Sequence, residues 1–121
     1  LVGWRRGAAA CIQVALGLKR AKFKRKIDAM FLFDAVDQDG STGDFLNFIP
    51  DNVTSCYHAM ATDKDWSARR LFPTCGKTAA SGVKFVAKSF HATHGGIAGA
   101  GKTDAGSKGW MWTHMKSEGV L

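Results

Sequence analysis

From Arg6 to about Val36 the chain holds no proline and places apolar side chains at Ile12, Leu16, Phe23, Ile27, Met30 and Phe31 or Phe33, close to the helical repeat. Ala, Leu, Lys and Arg are plentiful in the same stretch, and all four favour helix. The pattern predicts one long helix, or two consecutive helices with Gly17 as the break. Pro50 stops the short helix that follows, because proline has no amide to give. Asp51 or Thr54 can cap a further helix running through Tyr57, Met60 and Trp66 towards Leu71, and Pro73 with Gly76 marks a loop. Between Lys77 and Thr93, Val83, Val86 and Phe90 recur at helical intervals, although Val83-Lys84-Phe85-Val86 also alternates as a short strand would. Helix is the reading adopted. Residues 95–109 are dense in glycine and read as loop, and Trp110, Met111, Trp112 and Met115 supply a last apolar patch packed on the core. The expected architecture is mainly α, a small helical domain spanning 1–121 without internal repeats.

Residues 27–49, IDAMFLFDAVDQDGSTGDFLNFI, set oxygen-bearing side chains between two apolar runs. Asp37, Asp39 and Ser41 stand at the first, third and fifth places of a cation loop, where short oxygen donors can converge on calcium. The run Phe33-Asp34-Ala35-Val36-Asp37-Gln38-Asp39-Gly40-Ser41 and the ending Asp44-Phe45-Leu46-Asn47-Phe48-Ile49 resemble the EF-hand family. The resemblance implies a helix-loop-helix unit over 27–49. Counted strictly, the sixth and twelfth places hold Thr42 and Phe48, where the family has glycine and a bidentate Glu. With one residue missing between Gly43 and Asp44, Asn47 takes the twelfth place. The metal set is then Asp37, Asp39, Ser41 and Asn47, and it binds calcium weakly or not at all, since Asn47 offers one neutral oxygen. A register with Gly40 as the turn glycine puts Ala35 at the first ligand place. The competing reading is a helix-to-helix loop that binds nothing. A second loop at Asp63-Lys64-Asp65-Trp66-Ser67 lacks the turn glycine and the twelfth-place acid.

The 121 residues are 45% hydrophobic and carry a formal charge of +7, with a pI near 9.6. One domain with a real core is the expectation. The charge favours acidic partners, whether an acidic protein, an anionic surface or nucleic acid, and counts against an ordinary calcium sensor. Three cysteines, Cys11, Cys56 and Cys75, leave at least one unpaired, which points to a reduced, intracellular setting. No run approaches the roughly 18–20 apolar residues of a span, so no transmembrane segment is expected. The opening LVGWRRGAAACIQVALGL differs from a signal peptide in the order of its charges, and reads as mature chain.

Residues 8–26 form a basic amphipathic pattern similar to an IQ motif, with Ile12-Gln13, Gly17 and Lys22 in place and Leu16 where a basic residue is usual. That resemblance implies a helix gripped by a partner. Ile12, Leu16 and Phe23 would enter a groove, and Lys19, Arg20, Lys24 and Arg25 would meet acidic rims. The alternative is a core helix with a solvated basic face. Gly96-Ile97-Ala98-Gly99-Ala100-Gly101-Lys102-Thr103 matches the P-loop pattern, with Gly96, Gly101, Lys102 and Thr103 as phosphate contacts. It lacks a clear buried strand before it and a helix directly after it, and a chance match in glycine-rich sequence is preferred. His91 and His94, with Cys75 or His114, show no closed metal set. Asn52-Val53-Thr54 is a sequon that matters only in a secreted protein. No side chain identifies a nucleophile or an acid and base pair. The expected function is a regulatory or interaction module that takes an acidic partner. The alternatives are phosphate or nucleotide binding at Gly96–Thr103 and binding of nucleic acid.

Overall fold

The fold is that of a computed structural model, which describes residues 1–36, 46–62, 74–93, 96–98 and 104–121. The chain opens as β1 (Val2–Trp4), α1 (Arg6–Arg20) and β2 (Ile27–Phe33). After β3 (Phe48–Ile49) come β4 (Val53–Ala61), β5 (Thr78–Ala79) and β6 (Lys84–Phe90), then a 3-10 turn at Gly96–Ala98 and α2 (Ser107–Ser117). Strands β1, β2, β4 and β6 form a parallel sheet in that order, with Met30 beside Cys56, Phe31 beside Tyr57 and Tyr57 beside Val86. The short strands β3 and β5 pair separately, also in parallel.

Strand β2 is buried over Ala29–Leu32, so beyond Asp28 its sequence is a continuous apolar run rather than an alternation. Its even positions, Met30 and Leu32, pack with Ala8, Ile12 and Ala15 of α1. The odd positions, Ala29 and Phe31, pack with Tyr57, Phe90, Ile97 and Met111 on the opposite face, where α2 lies. The result is an α/β sandwich of three layers. Alanine on α1 lets the helix lie close to the sheet, and Gly3 permits the entry turn: a Cβ there would stand 2.5 Å from the Gly7 carbonyl oxygen and 2.6 Å from Ala8 Cα.

The mainly helical, EF-hand-like reading is overturned by this sheet. Residues 27–33, taken as an entering helix, are β2, and Phe48–Ile49, taken as the exit helix, are β3. The helix expected from Asp51 or Thr54 onward is β4 through Ala61, and the helix expected over Lys77–Thr93 is β5 and β6. Burial on both faces explains the error, because a run apolar at nearly every position satisfies the helical spacing as well as the strand spacing. The EF-hand-like calcium-binding character falls with the helix-loop-helix fold, and among the described residues no group of three His, Cys, Asp or Glu side chains could hold a metal ion. The long basic helix stops at Arg20, and Gly17 lies inside α1 rather than breaking it.

Candidate functional site

All strands of the larger sheet run the same way, so the segments that precede β2, β4 and β6 gather at one edge. The first, Ala21–Lys26, is held by the end of α1. Phe23 donates its amide to Leu18 O and Lys22 donates to Lys19 O, both at 3.0 Å, with Lys22 at φ 55°. That is a Schellman termination with lysine in the left-handed position where glycine is usual. The second segment is the turn at Pro50–Val53, and the third is the turn at Ala80–Val83, where Gly82 has φ 92°.

Hydrogen bonds tie these segments together. Ile27 donates its amide to Asn52 O at 2.9 Å, and Asn52 Nδ2 donates to Ala15 O of α1 at 2.9 Å. Lys19 Nζ meets Asp51 Oδ1 at 3.0 Å. Between them lies a cleft of about 450 Å³ lined by Phe23, Lys24, Lys26, Asp51, Asn52, Ser81 and Gly82. Six of the eight residues from Lys19 to Lys26 are cationic, and every residue of that segment is exposed. Phe23 is 57% exposed, an aromatic face left in water among these charges. The Asn52 Oδ1 atom is buried and has no hydrogen-bond partner among the described residues. The edge thus offers cations, one open ring, and the acceptors of Asp51, Asn52 and Ser81.

At the opposite edge, Arg5 and Asp34 follow β1 and β2 with φ of 56° and 45°. Their polar groups lace the strand ends: Arg5 donates its amide to Phe33 O at 3.1 Å, and buried Asp34 accepts the Ala61 amide on Oδ1 at 3.2 Å. Ligands of parallel α/β sheets commonly bind at this carboxyl edge. Residues 37–45 and 63–73 lie outside the described residues. On the α2 face, Tyr57 donates its hydroxyl to Glu118 Oε1 at 2.6 Å and stacks on His114 at 4.3 Å. Burial and the neighbouring Lys84 lower the His114 pKa, against an opposing pull from Glu118.

The residues proposed from sequence are scattered by the fold. Asp37, Asp39 and Ser41 lie outside the described residues. Asn47 Oδ1 accepts the Lys77 amide at 3.1 Å, which ties it to the approach to β5. Ile12 is fully buried and so closed to a partner, while Leu16 is partly buried against the core. Lys19, Arg20, Phe23, Lys24 and Arg25 are exposed together. Gly96 is buried in the 3-10 turn and gives its amide to Thr93 Oγ1 at 3.0 Å, while Gly101, Lys102 and Thr103 lie outside the described residues. The helix α2 begins only at Ser107. His94 lies outside the described residues, and His91 meets Thr62 Oγ1 at 3.2 Å.

Sequence reasoning included Lys22 and Lys26 in the basic stretch of residues 8–26 without singling them out as contacts, and it left Asp51, Asn52, Ser81 and Gly82 out of the site. Turn chemistry at Pro50-Asp51-Asn52 and Ser81-Gly82 was the only local signal, and it does not tell that three turns meet. No protein-family model matches the chain, and no curated protein or solved structure does. Among the described residues no helix is long and apolar enough to cross a membrane.

Proposed function

We propose that the protein is a binding module for a polyanionic partner, which it takes at the amino edge of its sheet through the segment Lys19–Lys26. The observation that carries this reading is the exposure of six cations within eight residues, two in the last turn of α1 and four on the segment fixed by its end. Among the described residues, Asp51 reaches Lys19 at 3.0 Å, and Asp28 stands 4.0 Å from Arg25 with both side chains more than 80% exposed. Pairs this exposed contribute little, so most of the charge stays available for attraction. Apolar anchoring by Ile12 plays no part, since the core holds it fully, and Leu16 offers only a partly covered side chain.

Heparin, a polyanion without bases or side chains, is the probe for this reading. It should bind the full chain with an affinity that falls as salt rises. The triple change Lys24→Glu, Arg25→Glu and Lys26→Glu should abolish binding, whereas Lys108→Glu with Lys116→Glu on α2 should lower it far less. Equal losses from the two variants would show general charge attraction and sink the site.

A further inference from the structure

We infer that the polyanion taken at this cleft is a single-stranded nucleic acid, with one base stacked on Phe23, its flanking phosphates on Lys24 and Lys26, and a base amino group donating to Asp51. The inference rests on the polyanion reading and adds the class of partner.

The first argument is the placing of Phe23. The ring stands between Lys22 and Lys24 on a turn fixed by two backbone hydrogen bonds, and it is 57% exposed at the mouth of the cleft. Single strands present a π-face beside every phosphate, and an aromatic ring among cations meets both at once. An acidic peptide uses the cations but has no regular need of the ring.

The second argument is the acceptor on the cleft wall. Asp51 keeps a side chain 61% exposed beside Lys19 on the wall of the cleft, where Lys24 and Lys26 are its other charged residues. Its carboxylate repels phosphates and acidic side chains alike, and what it adds is an acceptor for the exocyclic N–H of adenine or cytosine, a donor that the side chains of an acidic protein do not bring. Asn52 and Ser81 add uncharged hydrogen-bonding groups to the same wall.

Size is the third argument. A cleft of about 450 Å³ falls among sites for small ligands, roughly 300–1,000 Å³. A base enters such a space only when it is unpaired and splayed out, which selects single strands over duplex.

Fluorescence anisotropy with short labelled oligo(dC) and oligo(dT) tests this on the full chain. Oligo(dC), which carries the amino donor, should bind more tightly than oligo(dT), and Asp51→Ala should erase the preference. Phe23→Ala should weaken oligo(dC) at least about fivefold, the low end of stacking by one base, and leave heparin unaffected. Phe23→Trp should keep oligo(dC) affinity. Lys24→Ala and Lys26→Ala should each flatten the salt slope by about 0.7. If Phe23→Ala binds oligo(dC) as tightly as the wild type while heparin still binds, the stacked base is excluded and the polyanion site survives. If polyglutamate binds more tightly than oligo(dC) and gains further from Asp51→Asn, the partner is an acidic protein. Loss of heparin binding by the wild type would overturn both readings together.

Discussion

Asn52 donates from Nδ2 to the carbonyl of Ala15 at 2.9 Å, joining the turn before β4 to a helix 37 residues earlier in the chain. Its own carbonyl accepts the Ile27 amide, so one residue fixes α1 and the start of β2 against the start of β4. The cleft has its shape because of this link. Asn52→Ala removes the side-chain bond but spares the backbone one, and it also removes the buried, unpaired Oδ1. The two effects oppose each other. The expected loss is about 0.5–1.5 kcal/mol, the usual net worth of one hydrogen bond, or less. Urea unfolding should show a lower midpoint with an unchanged slope, and a loss well beyond that range would mean that the turn itself collapses.

Lys22 holds φ at 55°, where a side chain costs about 1–2 kcal/mol and glycine costs little. Part of that gain is offset, because glycine has more freedom to lose on folding. Lys22→Gly is therefore expected to raise stability by up to about 1 kcal/mol, and Lys22→Ala should bring no such gain. Both variants should bind heparin more weakly. A cation kept in a strained position is what a binding surface calls for, and thermal melts beside heparin titrations would separate the two effects.

How much of this was legible in the sequence depends on how many faces each element buries. Helix α1 was legible because it buries one stripe, Ala8, Cys11, Ile12 and Ala15, and leaves Gln13, Val14 and Gly17 in water. Strand β2 was not, because neighbours cover it on both sides and its residues fit any period. Strand β4 hid for a second reason: Cys56, His58, Ala59 and Met60 are weak strand formers, and the parallel neighbours β2 and β6 impose the conformation. Strand β6 was read as helix from the spacing of Val83, Val86 and Phe90, but it is the strand at the end of the sheet, where charges such as Lys84 and Lys88 are common. Of the cleft, the cations were plain from the start. Asp51 and Ser81 were invisible as partners because only the parallel topology brings 23–26, 51–52 and 81–82 to one edge.

His114 gives a pH dependence whose sign follows from its surroundings. Burial and Lys84 lower its pKa in the folded protein below the ordinary histidine value near 6.5, with Glu118 pulling the other way. The unfolded chain therefore takes up the proton first as pH falls. The stability this neutral ring contributes is complete above about pH 6.5 and is lost progressively below it, down through the depressed folded pKa. Urea midpoints of the wild type and His114→Gln, taken from about pH 7.5 to pH 5, should show the wild type's advantage shrinking with acidity. An advantage that grows with acidity would reverse the assignment and make Glu118 the dominant neighbour.

The three cysteines share one core cluster with α1, and all are buried thiols outside any disulfide. Burial pushes the Cys56 thiol up to about 12, with a further contribution from Cys11, and burial also raises Cys11. Thiolate is the reactive form, so neither group has appreciable nucleophile at neutral pH while the protein is folded. A thiol reagent such as iodoacetamide should leave the native protein unmodified over minutes at pH 7.5, and should label three sites per chain in concentrated urea. Labelling at intermediate urea should then track global unfolding, because Cys11, Cys56 and Cys75 come from α1, β4 and the approach to β5 and all pack into one cluster. If Cys11 were modified first, α1 would be opening independently of the sheet.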